Sequence, residues 1–333
     1  MRFPLRQTMA VAKHISKQKR AGVKKFPLVL MLEPLHACNL ACSGCGRIRE
    51  YREHMSEMLP LEKCFAAIDA CDAPVVSVCG GEPLLYPDIS ALIDGIVARG
   101  KVAYLCTNGQ VLEKRISSLR PNGMFNINVH IDGTAKIHDA IVEKQGAFDK
   151  AVAGVVAAKK AGFSVCTNTT VYKQSDVEEI RQLAKYLGSL GVDGLLISPA
   201  FDYSDVEDQS QFLDRTAIVE KFKALDDVVR GPRVWNTPLF YDFLQGKRDY
   251  SCTPWGNVTY NVCGWKAPCY LVTDRHYERY SDFINDIDWE RYGPGRDRRC
   301  ANCMAHCGFE ATVALSSMKS VGDILRMAKW TLF

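Results

Sequence analysis

The sequence predicts an α/β fold: a partial (β/α)6 TIM-like barrel, followed by a C-terminal cysteine-rich extension. Three observations carry this expectation. From Phe26 onward, short apolar runs alternate with longer helical patterns; two of the runs alternate polar and apolar residues; and polar or glycine residues gather where the runs end. Strands separated by helices imply parallel pairing through right-handed crossovers.

Strands are expected near 27–33, 75–79, 102–106, 125–131, 163–169 and 194–198, and helices near 60–72, 87–99, 110–119, 147–161 and 175–190. The fourth and fifth strands show which side faces inward. Asn126, Asn128, His130 and Asp132, then Ser164, Cys166, Asn168 and Thr170, occupy every second position. A barrel strand is apolar toward its covering helices, so this polar set lines the lumen. The strand ends agree. They carry a three-thiol loop, then Gly80-Gly81-Glu82-Pro83, Cys106-Thr107-Asn108-Gly109, Asp132-Gly133, Asn168 and Ser198-Pro199. Parallel α/β folds build their sites at this edge.

The alternation stops near residue 200. Asp202 to Asp208 is acidic and loop-like, 209–230 reads as helical, and a second cysteine field follows: Cys252, Cys263, Cys269, Cys300, Cys303 and Cys307. The expected organisation is therefore a segment at 1–25, a barrel core at 26–200 and an extension at 201–333.

A chain of 333 residues with 14 cysteines suits a reducing compartment, where thiols are kept for metals. No stretch approaches the ~20 apolar residues of a membrane span. Arg2, Arg6, Lys13, Lys17, Lys19, Arg20, Lys24 and Lys25 give the first 25 residues eight cations and no acid, without the apolar core of a signal peptide. The expected location is cytoplasmic. Phe3, Leu5, Met9, Val11 and Ile15 fall loosely on one helical face among those charges, which suits either contact with anionic headgroups at the inner membrane face or a solvated terminus. Few aromatics accompany the charges, so nucleic acid is not an expected partner.

Cys38, Cys42 and Cys45 stand in C-x3-C-x2-C spacing directly after the first strand. Closed structural sites use four protein ligands, so three thiols suggest a centre with one open position; a zinc knuckle borrowing a distant ligand is the alternative. The loop, together with Gly80 to Pro83, resembles those of the radical S-adenosylmethionine (SAM) enzymes. That resemblance implies a [4Fe–4S] cluster on Cys38, Cys42 and Cys45, SAM chelating the free iron, and a donor such as flavodoxin or ferredoxin. It also implies SAM contacts from Gly80, Gly81, Glu82 and Pro83. Position in the lumen, rather than the resemblance, adds Asn108, Asp132 and Asn168 as expected contacts. Where that family usually has an aromatic residue before the third cysteine, this chain has Gly44.

Cys252, Gly264, Cys269, Cys300 and Cys303 resemble part of the Twitch or SPASM extensions of the same superfamily. This implies one auxiliary iron–sulfur cluster on Cys252, Cys269, Cys300 and Cys303, with a structural zinc as the alternative. Longer segments, including Phe3-Pro4-Leu5-Arg6-Gln7, Tyr104-Leu105-Cys106-Thr107-Asn108 and Cys252-Thr253-Pro254-Trp255-Gly256-Asn257, resemble the branch of the superfamily that acts in hopanoid biosynthesis. That branch implies a polycyclic hydrocarbon substrate, adenosylation of its alkene, and Cys106 as hydrogen donor. Trp235, Phe240, Tyr241, Phe243, Trp255 and Trp265 are candidate walls of the apolar pocket, with ordinary core packing the commoner role for any one of them. A Twitch or SPASM enzyme acting on a peptide or another small molecule is the alternative.

Overall fold

The computed structural model describes residues 3–332; Arg2 and Phe333 lie outside the described residues. One nine-stranded sheet organises the chain. Six parallel strands run in sequence order from β1 (Val29–Leu32) and β2 (Val75–Val78) through β3 (Val102–Thr107) and β4 (Phe125–His130) to β5 (Ser164–Val171) and β6 (Gly194–Pro199). On the other side of β1, β7 (Asn257–Asn261) pairs parallel, Val29 opposite Asn257. The antiparallel strands β8 (Gly264–Pro268) and β9 (Thr273–Tyr277) complete that edge.

Each crossover helix buries one stripe. Cys64, Ala67, Ile68 and Cys71 of helix Leu61–Cys71 recur at helical spacing and join the main core with Leu30, Val76 and Val78. That helix stops at Asp72, in the left-handed region at φ 51°, whose N–H donates to Ile68 O. At Val177–Ser189 the Asp176 carboxylate accepts the Glu178 and Glu179 N–H groups, an N-cap that starts the helix where the sequence turns apolar at helical spacing.

The lumen has the polarity the alternation predicts. Phe125, Ile127 and Val129 pack outward in the main core, while Asn128, His130, Asn168 and Thr170 line an interior cavity. At the deep end of the lumen Val75, Tyr104, Cys166 and Trp235 pack together with Phe3 and Val11 from the N-terminal helix Leu5–Arg20 and its lead-in. Helix His306–Ser317 packs on β7, and helix Val321–Leu332 packs on both it and the N-terminal helix.

Candidate active site

The three-thiol loop is held from both sides. The Arg49 guanidinium donates to the carbonyls of Cys42 and Cys45 at 3.0 and 2.7 Å, and Ser43 N–H donates to Ile141 O. Gly80 and Gly81 let the β2 loop lie directly on this segment. A Cβ at Gly81 would stand 2.1 Å from Ala37 O, one at Gly80 would stand 2.4 Å from Leu35 O, and Gly80 has a φ of +107°. Two backbone bonds, Gly81 N–H to Leu35 O and Glu82 N–H to Ala37 O, close the junction.

Glu82 is buried and accepts from Leu84 N–H, Thr107 Oγ1 and Asn108 N–H at 2.7 to 2.9 Å. Burial raises its pKa against these donors. Its carboxylate therefore fastens the β2 loop to the end of β3, and neither it nor Pro83 lies on the cavity wall, where Gly80 and Gly81 do. Asn108 does line the cavity and donates to Asn39 Oδ1 at 2.8 Å and to Cys38 Sγ at 3.7 Å.

Asp132 departs from expectation in the same way. It is buried off the wall, with Oδ1 accepting Thr170 N–H at 2.7 Å and Oδ2 lying 2.6 Å from His130 Nε2. Burial opposes a charge on His130, yet this carboxylate raises the imidazole pKa above its ordinary value. His130 is the lumen residue that Asp132 orients, one that alternation identifies and motif reading passed over. Asn168 lines the cavity as expected, its Oδ1 buried without a partner among the described residues, as is that of Asn128. The space beside Gly44 is filled by Tyr172, whose hydroxyl would stand 2.6 Å from a Cβ there.

Cys38, Cys42, Cys45, Gly80, Gly81 and Asn108 share one cavity of about 690 Å³ with Cys106. The three thiols, half-buried around this space, could hold a cubane at three irons. The unpartnered amide oxygens could meet a polar ligand beside it. Burial raises the Cys38 thiol to about 11. Cys106 lies deeper, its Sγ 3.1 Å from Ser77 Oγ and 3.7 Å from Asn128 Nδ2, and burial raises its pKa, keeping the S–H.

The deep walls divide the candidate set. Trp235 is there, but Phe240, Tyr241 and Phe243 are buried in the core on helix Pro238–Leu244, which is apolar nearly all round and so packs internally. Trp265 is core as well, its ring tilted against those of Tyr260 and Tyr280, and Trp255 packs on Phe26. The walls come instead from the termini, with Phe3, Val11, Ile15, Met327 and Trp330. The basic stretch thus splits its apolar residues: Phe3, Val11 and Ile15 turn inward, Leu5 and Met9 outward.

The second cysteine field gathers as one group. Cys252, Cys269, Cys300 and Cys303 line a small pocket joined by Cys307, which also borders the large cavity. Cys263, at the β7–β8 turn, stays outside it. Among the described residues, no helix is long and apolar enough to cross a membrane.

The family model of the radical SAM superfamily matches residues 32–187. The core is a radical SAM domain. Its cofactors are accordingly a [4Fe–4S] cluster and SAM. A second model, a domain of unknown function (DUF3463), matches residues 195–327. Among curated proteins, the chain is 32% identical over 180 residues to the AdoMet-dependent heme synthase of Methanosarcina barkeri, covering 52% of this chain and 51% of that one. It is 27% identical to the GTP 3',8-cyclase 1 of Mycobacterium tuberculosis, over 53% and 51% of the two chains. The chain thus spans about half the length of the curated relatives it matches. Among solved structures, Streptococcus suis SuiB bound to its precursor peptide SuiA superposes with a TM-score of 0.67 at 17% identity, over 93% of this chain and 77% of that one. Native anSMEcpe with bound AdoMet and Cp18Cys peptide gives 0.57 at 16% identity, over 91% and 99%. These likenesses concern the fold.

Proposed function

We propose that this radical SAM enzyme is an adenosylhopane synthase, joining the 5′ carbon of the deoxyadenosyl group to the terminal alkene of diploptene. The observation that carries the reading is the single cavity. It is polar beside Cys38, Cys42 and Cys45, apolar toward Phe3, Trp235 and Trp330, and has Cys106 between the two ends. A polycyclic hydrocarbon suits the apolar end, and the whole-chain resemblance to the hopanoid branch points to the same substrate.

In this reading Cys38, Cys42 and Cys45 hold the cluster, and Gly80, Gly81, Asn108 and Asn168 face SAM. Bound there, the two cofactors supply a 5′-deoxyadenosyl radical. The chain's own work is positional. Trp235, Phe3 and Trp330 exclude water and hold the alkene carbon toward the polar end, because proximity governs which carbon reacts. Formation of the new C–C bond leaves a tertiary carbon radical. The Cys106 thiol gives it one hydrogen atom, and the resulting thiyl returns to thiol with one electron from a flavodoxin or ferredoxin and one proton from solvent. Ser77 and Asn128 aim the Sγ for that transfer. Cys252, Cys269, Cys300 and Cys303 hold an auxiliary cluster, and the enzyme works at the inner membrane face, where its substrate resides.

The test is anaerobic incubation with SAM, reductant and diploptene. A lipid product carrying adenosine is expected. Free 5′-deoxyadenosine as the sole nucleoside product would instead favour a hydrogen-abstracting enzyme with another substrate, such as a peptide.

A further inference from the structure

The large cavity has a mouth, and its position is specific. Nearly all its wall is buried or half-buried; the lining residues exposed to solvent are Ala12 on the N-terminal helix, Met318 after helix His306–Ser317, and Ile324 and Ala328 on the C-terminal helix Val321–Leu332. The opening therefore lies between the two terminal helices, at the apolar end, away from the three thiols. Phe3 and Trp330, with ring centroids 4.7 Å apart, join the two helices across its inner side.

The same helices turn apolar residues the other way. Val321, Leu325 and Met9 are 75%, 65% and 62% exposed, and Leu5 and Leu332 are exposed as well. On the C-terminal helix Val321, Leu325 and Leu332 recur at spacings of four and seven, a stripe bordered by Ala328 at the rim of the opening. Cations surround it. The N-terminal helix has no acid, and Arg6, Lys13 and Lys19 are exposed on it, as are Lys319 and Lys329 beside the stripe. Large apolar side chains amid exposed cations match an anionic bilayer, whose headgroups meet the charges while the side chains enter the acyl boundary.

We infer that the two terminal helices form a docking surface for an anionic lipid bilayer, and that the opening between them is the portal through which substrate passes from the bilayer to Cys106. This deepens the hopene reading and takes its substrate from it; the surface itself can be tested without that substrate. The portal lies at the apolar end, so a hydrocarbon would move from acyl chains to apolar wall without crossing water.

The experiment uses full-length holoenzyme and vesicles of phosphatidylcholine, with or without phosphatidylglycerol. Wild type is expected to co-sediment with the anionic vesicles, and less so as salt is raised. A Met9→Asp/Leu325→Asp variant, altered at two exposed positions off the cavity wall, is expected to remain in the supernatant. It should convert diploptene embedded in anionic vesicles at least about tenfold more slowly than wild type, a difference of ~1.4 kcal/mol, while matching it on detergent-dispersed diploptene. Wild type that stays in the supernatant, or a variant that equals it on vesicle substrate, overturns the proposal. Failure of wild type on detergent-dispersed diploptene would sink the reaction reading, and sedimentation would still decide the surface.

Discussion

Replacing Arg47 with methionine should destabilise the fold and loosen the three-thiol loop together. Arg47 follows Cys45 by two residues and is buried, with Glu50 2.6 Å and Glu33 3.6 Å away. Its guanidinium also stands 4.8 Å from the ring centre of Tyr270. Burial disfavours the charge, but Glu33, Tyr203 and Glu50 outweigh it and raise the pKa well above the ordinary value. The fourth member, Lys266, reaches Glu50 Oε2 at 3.0 Å and Tyr270 O at 2.9 Å, and burial lowers its pKa to about 8. The network thus balances two carboxylates against two cations, and it ties the loop to β8. Arg47→Met leaves the carboxylates in excess, and an unpaired buried charge costs about 3–5 kcal/mol. At ~2.1 cal/mol/K per residue the unfolding entropy of this chain is about 0.7 kcal/mol/K, so Tm should fall by about 4–7 °C. Differential scanning calorimetry of anaerobic holoenzyme, with iron analysis, measures both effects. Adding Glu33→Gln should restore more than half the loss, because the two substitutions act on one interaction. A shift under about 1 °C, the scale of a surface pair, would refute the reasoning.

Three further outcomes follow from the geometry. Wild type reconstituted anaerobically should bind about eight irons, and Cys38→Ala or Cys252→Ala about four, with Cys263→Ala unchanged; iron and sulfide analysis decides it. Cys106→Ala should still cleave SAM but lose product of the correct configuration by at least about tenfold, read by chiral chromatography of the lipid extract; an undiminished yield would remove Cys106 from the reaction. Glu310 lies on the cavity wall, accepting from Asn236 Nδ2, Thr237 N–H and Thr237 Oγ1, and burial pushes its pKa up to about 7 from 4.5. The folded state then holds a proton that the unfolded chain has lost, so wild type should lose stability relative to Glu310→Gln as pH rises from 4.5 to 7. Parallel denaturant midpoints across that range would contradict this.

The barrel was legible because its signals are local. The apolar runs, the alternation in β4 and β5 and the glycines at 80 and 81 each state their own backbone requirement. What escaped reading depends on tertiary context. Strands β7 to β9 are five residues each and show no clear alternation, since Thr259, Asn261 and Lys266 are all buried, Asn261 donating to Glu33 and Lys266 to Glu50. Asp132 follows the lumen pattern yet sits off the wall, because Thr170 N–H and His130 claim its oxygens. The inward and outward apolar residues of the N-terminal helix are alike in sequence. Only the packing of Phe3 on Trp235 and Trp330 separates them.

Mass spectrometry of the lipid extract, after the reconstituted enzyme meets SAM, reductant and diploptene without oxygen, addresses the chemistry most directly. A species with the mass of diploptene plus the deoxyadenosyl group and one hydrogen atom is predicted. Unchanged diploptene alongside SAM consumption would contradict the assignment of this cavity to a hydrocarbon acceptor.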